Sequence, residues 1–203
     1  MIKSIESYYG DKKTFPYGFG QRDTKRENIY PTITLHQIQQ MMLAPMAVAK
    51  SEAPWFIPSN YFGSWARNHS IQRELGRFSC LTLDIDDGSP SDAEVIGSLE
   101  AVLGDVHMLI YTSSGATKEK KKYRCILPLR TPLNGYEWQS AQAELFDQLA
   151  NEGIICDRAF QRTGQLLFLP NVPPDKRDDK GEPFFYFQLS LIHISEPTRL
   201  HTI

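Results

Sequence analysis

The chain has little of what marks the commonest functional classes. Cysteine is scarce: Cys80, Cys125 and Cys156 stand far apart inside apolar runs. There is no CxxC pair and no histidine at zinc-ligand spacing, so neither a zinc site nor a disulfide framework is legible. The three read as reduced, buried packing residues. No apolar run approaches the ~18 residues that span a bilayer, and the opening Met1-Ile2-Lys3-Ser4-Ile5-Glu6-Ser7 lacks the apolar centre of a secretory signal. A cytoplasmic location with no membrane partner is therefore expected. Charge of one sign is also missing, with 22 Lys and Arg against 24 Asp and Glu. No overall field draws nucleic acid, and any such binding must come from a local patch. P-loop and GxGxxG signatures are absent, as is any internal repeat.

What is present belongs to an ordinary globular chain, 41% hydrophobic and 23% charged over 203 residues, enough for one well-buried domain with tails. Residues 1–28 carry no sustained period and read as a loosely ordered lead-in. Residues 29–188 read as the domain. Helices are expected over 35–42, capped by Thr34, and over 61–75, ending at Gly76. Another should start at Ser89 as cap, with Pro90 in the first position and Asp92 closing a capping box, and run to Leu103. The last, over 136–151, carries Trp138, Ala141, Leu145 and Leu149 on one face. Strands are expected over 78–86, 106–113 and 123–129, the latter two joined by a basic hairpin loop, and over 165–169 and 184–187, with 54–58 briefly extended. Interspersed helices and strands with a hairpin predict an α+β fold on a mixed or antiparallel sheet. The stretch 189–203, from Ser190-Leu191-Ile192-His193 onward, resembles translated adapter or vector sequence and is set aside as a read-through tail.

The densest chemical signal is Leu81-Thr82-Leu83-Asp84-Ile85-Asp86-Asp87-Gly88. Residues i and i+2 of a strand face the same way, so Asp84 and Asp86 address one spot. Two carboxylates aimed together repel unless a cation or proton lies between them, which makes a divalent metal the economical explanation. Asp157, after the apolar pair Ile154-Ile155, is the best-placed third carboxylate. The alternative is a plain strand-to-turn junction in which Asp87-Gly88 makes the turn and both aspartates are solvated. Lys118, Lys120, Lys121, Lys122 and Arg124 form the one dense basic patch. A solubilising hairpin tip explains the lysines equally well. Arg124 opens an apolar strand, where it could grip a phosphate bidentately, and Arg158 and Arg162 flank Asp157 in the same way; a salt bridge is the alternative for each. Trp55, Phe56 and Trp65 are read as core rather than base-stacking residues, and His107 as structural.

Taken in order, Leu83-Asp84-Ile85-Asp86, Ile110-Tyr111-Thr112-Ser113-Ser114, Tyr123-Arg124-Cys125-Ile126-Leu127-Pro128-Leu129 and Asp157 with Gln165-Leu166-Leu167-Phe168-Leu169-Pro170-Asn171 resemble the archaeo-eukaryotic primase superfamily. Within it, the likeness is to primase-polymerase-like replication proteins of plasmids and phages, over about residues 50–171. The resemblance implies an α+β core with an RRM-like sheet and template-directed nucleotidyl transfer using Mg²⁺ or Mn²⁺. The 3′-hydroxyl of a growing strand attacks the α-phosphate of an incoming NTP or dNTP, with single-stranded DNA as template. By position, Asp84, Asp86 and Asp157 would be metal ligands and catalytic carboxylates. Ser113, Ser114, Lys122, Arg124 and Arg162 would lie toward the nucleotide phosphates, and a helicase domain or protein would be a partner. One departure is plain: the middle motif usually carries a histidine after a serine, whereas here the run is Ser113-Ser114-Gly115-Ala116-Thr117. Two other functions compete. One is a non-catalytic replication initiator or DNA-binding module keeping the fold. The other is a different DxD phosphoryl-transfer enzyme, of haloacid dehalogenase phosphatase or Toprim nuclease type, for which the expected flanking residues are not visible.

Overall fold

Residues 13–20 and 29–191 are described by a computed structural model. Among them the chain forms β1 (Thr14–Phe19), β2 (Thr32–Thr34), α1 (Leu35–Leu43), β3 (Pro54–Phe56), α2 (His69–Leu75) and β4 (Arg77–Ile85). There follow α3 (Asp92–Leu103), β5 (Met108–Thr112), β6 (Tyr123–Asn134), α4 (Gly135–Asn151), β7 (Leu167–Phe168) and β8 (Gln188–Leu191). Two four-stranded sheets result, in the orders β2-β1-β3-β7 and β4-β6-β5-β8. Every strand pairing is antiparallel. The fold is thus α+β, with antiparallel sheets flanked by helices, as expected.

One apolar core joins the sheets. Phe15, Ile33, Phe56 and Leu167 of the first pack in the same cluster as Leu83, Ile110 and Ile126 of the second, with Val95 and Leu99 of α3 and Trp138, Leu145 and Leu149 of α4. All of β4 after Arg77 is buried, its polar Ser79, Thr82 and Asp84 included. The hairpin of β5 and β6 forms across the basic loop, with Tyr111 opposite Arg124 and Thr112 opposite Tyr123.

Several local expectations are corrected. Thr14–Phe19, inside the expected lead-in, is a paired strand. Its Pro16 and Gly18 look like loop punctuation, yet Gly18 is there because a Cβ would stand 2.4 Å from the Trp55 ring. The indole Nε1 donates to the Gly20 carbonyl at 2.9 Å. Helix α2 begins at His69 and not at residue 61: Asn68 caps it, accepting from the Ser70 and Ile71 amides. The preceding turns, with Trp65 at φ 64°, are tied to it by Gln72 Nε2 donating to the Tyr61 and Ala66 carbonyls. Ser91 rather than Ser89 caps α3, and Glu94 rather than Asp92 closes its box. The reason is that Gly88 and Ser89 both take positive φ (76° and 45°) to leave β4, which delays the helix. The last strand lies at Gln188–Leu191 instead of 184–187, so the segment set aside as a read-through tail begins within a paired strand. From residue 192 onward it lies outside the described residues, as do residues 1–12 and 21–28 of the lead-in.

Strand β4 is an edge of its sheet, and its outer side is covered by the backbone of residues 58–60 at its start, by α4 side chains in the middle and by the Asp157 backbone at its end. Trp138 Nε1 donates to the Cys80 carbonyl at 2.9 Å. Gln142 Oε1 accepts from the Thr82 amide at 3.3 Å while its Nε2 donates to the Thr82 carbonyl. The Asp157 amide donates to the Asp84 carbonyl at 2.9 Å. Buried backbone groups left unpaired are costly, and here Trp138 and Gln142 of α4 with the Asp157 amide take the partners a neighbouring strand would supply. Close packing brings α4 there: a Cβ on Gly135 would stand 2.3 Å from the Arg73 carbonyl oxygen. Gln142→Ala strands the Thr82 N–H and C=O together and should cost about 2–4 kcal/mol. Urea unfolding should show it as a lower midpoint at unchanged slope, with exposed Gln148→Ala as the neutral control.

Candidate active site at the end of the central strands

The register assembles the site row by row. Asp84 on β4 pairs with Arg124 on β6, which pairs in turn with Tyr111 on β5. Directly opposed residues of antiparallel strands share a face, so these three side chains stand together. Two residues on, past the strand ends, come Asp86, Lys122 and Ser113. The Ser113 amide extends the ladder by donating to the Lys122 carbonyl at 3.0 Å, and Lys122 Nζ lies 3.2 Å from Asp86 Oδ1. Three strands thereby place two carboxylates against two cations.

Arg124 binds in three directions. Its Nε sits 3.5 Å from Asp84 Oδ2. Its Nη1 donates to the Phe168 carbonyl at 3.4 Å, and its guanidinium lies over the Phe168 ring at 5.6 Å from the centroid. Tyr111 Oη donates to the same carbonyl at 2.7 Å. The acidic row is thus tied to β7 of the other sheet. Tyr111 and the Phe168 carbonyl were not singled out from sequence; the signal for Tyr111 is its hairpin position opposite Arg124, which needs the register to be seen.

The other expected residues are placed as follows. Ser114 is buried in the turn after Ser113. Asp157 comes beside Asp84 through its backbone, while its exposed carboxylate accepts from the Ala159 amide at 2.8 Å and caps the turn Arg158–Gln161. Arg158 pairs with Asp147 at 2.6 Å. Arg162 is exposed, bonds back to the Ala159 carbonyl, and acts through its charge on His69, whose pKa burial and that charge both lower. Among the described residues, no group of three His, Cys, Asp or Glu side chains is arranged to hold a metal ion. Trp55 and Phe56 are fully buried, whereas Trp65, expected in the core, is 45% exposed; all three cysteines are free and buried.

No family model and no curated protein matches the chain. Among solved structures, it is similar to the AEP domain of the cyanophage S-2L primase-polymerase. The identity is 14%, the TM-score 0.48, and the alignment covers 87% of this chain and 80% of that one. Likeness of that degree carries no argument, and the α+β fold stands on the strands and helices described above.

Asp84 is the unusual member of the site. It is 8% exposed, so it is not the solvated aspartate of a simple turn, and its Oδ1 is buried without a hydrogen-bond partner. Burial is the main force raising its pKa to about 6; the Arg124 charge opposes it, and the Asp86 and Asp157 charges add to it. Asp86 is half-exposed at 48% of its side chain and carries its lysine partner openly.

The folded protein therefore holds the Asp84 proton up to about pH 6, whereas an unfolded aspartate releases it near ~3.9. Between these values the folded state binds more protons, so this group's contribution to stability falls as pH rises. Asp84→Asn removes that slope. Thermal melts from pH 4 to pH 7 should show the variant gaining on the wild type by about 2–3 kcal/mol as pH rises. A constant difference would contradict the raised pKa.

Proposed function

We propose that the chain carries out template-directed nucleotidyl transfer, as a primase or polymerase in the replication of a plasmid, phage or similar element, with Asp84 and Asp86 holding Mg²⁺ or Mn²⁺. The observation that carries this is the partnerless, buried Asp84 Oδ1 beside a second carboxylate. A buried carboxylate oxygen without a donor is costly, and a hard cation with oxygen ligands satisfies it. The residues therefore fit such an ion, with Asp157 as a further ligand once its carboxylate leaves the Ala159 amide. A bound divalent ion would supply charge neutralisation on the phosphoryl oxygens and a lowered pKa of the attacking hydroxyl.

The chain's own residues would do the rest. Lys122 already holds Asp86 and is partly exposed, so it can exchange that carboxylate for a nucleotide phosphate. Arg124, braced by Phe168, fixes Asp84 and presents a fixed positive charge. Ser113 and Ser114 offer neutral hydroxyl donors where a histidine is missing. Single-stranded DNA and an NTP or dNTP are the partners this chemistry needs, and a helicase would supply the template. A cytoplasmic location suits that work, and among the described residues no helix is long and apolar enough to cross a membrane.

A non-catalytic DNA-binding module is favoured by one observation: each carboxylate of the pair already has a cation, and the third caps a turn. Calorimetry separates the two. Mn²⁺ should bind at pH 7.5, bind about tenfold more weakly at pH 5 because protons compete for Asp84, and not bind Asp84→Asn. Absence of heat at pH 7.5 would select the binding module. On single-stranded templates with Mn²⁺, the wild type should extend or synthesise primers, and Asp84→Ala with Asp86→Ala should give no product. Product from the double variant would sink the nucleotidyl-transfer assignment.

A further inference from the structure

A second feature lies on the far side of the basic loop. Thr117, Lys118 and Glu119 of the β5–β6 connection, with Lys176, Phe184 and Phe185 from the segment before β8, line a cleft of about 310 Å³. Phe184 is 59% exposed. The loop divides its lysines: Lys121 pairs with Asp92 and Lys122 with Asp86, while Lys118 and Lys120 stand exposed.

The cleft is built, not draped. Lys176 Nζ donates to the Ala116 carbonyl at 3.3 Å, bridging its two walls, and the Phe184 amide donates to the Lys176 carbonyl at 3.0 Å. The loop tip closes on itself, with Thr117 N to the Lys120 carbonyl and Lys120 N to Thr117 Oγ1, both at 3.0 Å. Arg177 anchors the other wall, donating to the carbonyls of Val172 at 2.9 Å, Gly181 at 2.7 Å and Pro45 at 2.8 Å. An exposed ring beside the ammonium groups of Lys118 and Lys176, which with the loop-tip Lys120 outnumber the one carboxylate of Glu119, offers a stacking face and charge for a polyanion. That pairing suits unpaired bases on a phosphate chain, and a duplex cannot present its base faces to it.

We infer that this cleft binds single-stranded nucleic acid, one base stacking on Phe184 and the flanking phosphates meeting Lys118 and Lys176 in the cleft and Lys120 at its rim on the loop tip. The site deepens the nucleotidyl-transfer proposal and rests on it for what the strand is led to, since Ser113 and Lys122, with Asp86 paired to Lys122, stand at the base of the same loop. The binding step stands on the cleft alone.

Fluorescence anisotropy with a labelled oligothymidine, in EDTA so that no metal contributes, tests it. The wild type should bind the oligomer more tightly than a hairpin duplex of equal length. Phe184→Ala should weaken binding about tenfold, and Phe184→Tyr should retain it. Lys118→Glu with Lys120→Glu should weaken binding and flatten the log–log salt dependence by about 1.4, two contacts' worth. Equal affinity for the duplex, indifference to Phe184→Ala, or no binding at low salt would each overturn the site. Oligomer binding that follows these variants without any Mn²⁺ heat sinks the catalytic assignment alone. Mn²⁺ heat with binding that ignores Phe184 sinks the cleft alone.

Discussion

The buried contact between Asp84 and Arg124 is the constraint around which the molecule is arranged. Taking two charges out of water costs several kcal/mol per ion, and attraction repays it only where geometry and further hydrogen bonds are good. Here the guanidinium gives an Nη1 donor to the Phe168 carbonyl and rests on the Phe168 ring, so the pair joins β4 to β6 and the two sheets to each other. The carboxylate is left half satisfied. That asymmetry is what separates Asp84 from a structural ion-pair residue: stability alone would be better served by an apolar pair of the same volume.

Legibility in the sequence followed the range of the interaction. Helix α4 and the β5–β6 hairpin were readable because their signals, a helical stripe and two β-rich runs around a polar loop, are local and repeated. Strand β1 was not, because Gly18 yields to an indole that arrives from another strand. The start of α3 was displaced by the positive φ of Gly88 and Ser89, a property of how the chain leaves β4 that the capping pattern does not encode. In α2, the polar run after Tyr61 looked helical, but a buried Gln72 gathers it into turns.

For the site, the register sets Arg124 opposite Asp84 and Tyr111 opposite Arg124, while two residues on Lys122 meets Asp86 and Ser113 by contacts past the strand ends. Asp157 shows where such reasoning stops. Sequence context brought its backbone to the right place, hydrogen-bonded to Asp84, but could not say that a short-range cap would compete for its carboxylate. Arg162 shows the same limit: proximity in sequence to Asp157 did not carry it to the acidic rows.

The seal along the outer side of β4 also orders events in time. Trp138, Gln142 and Asp157 all leave the ribosome well after the strand they cover. Without α4 and the segment after it, the Cys80, Thr82 and Asp84 backbone groups on this border would stand unpaired, the kind of edge that pairs with another chain. The same border receives the Asp157 amide at the Asp84 carbonyl, so the edge that must be covered against aggregation is also the edge that carries the buried carboxylate.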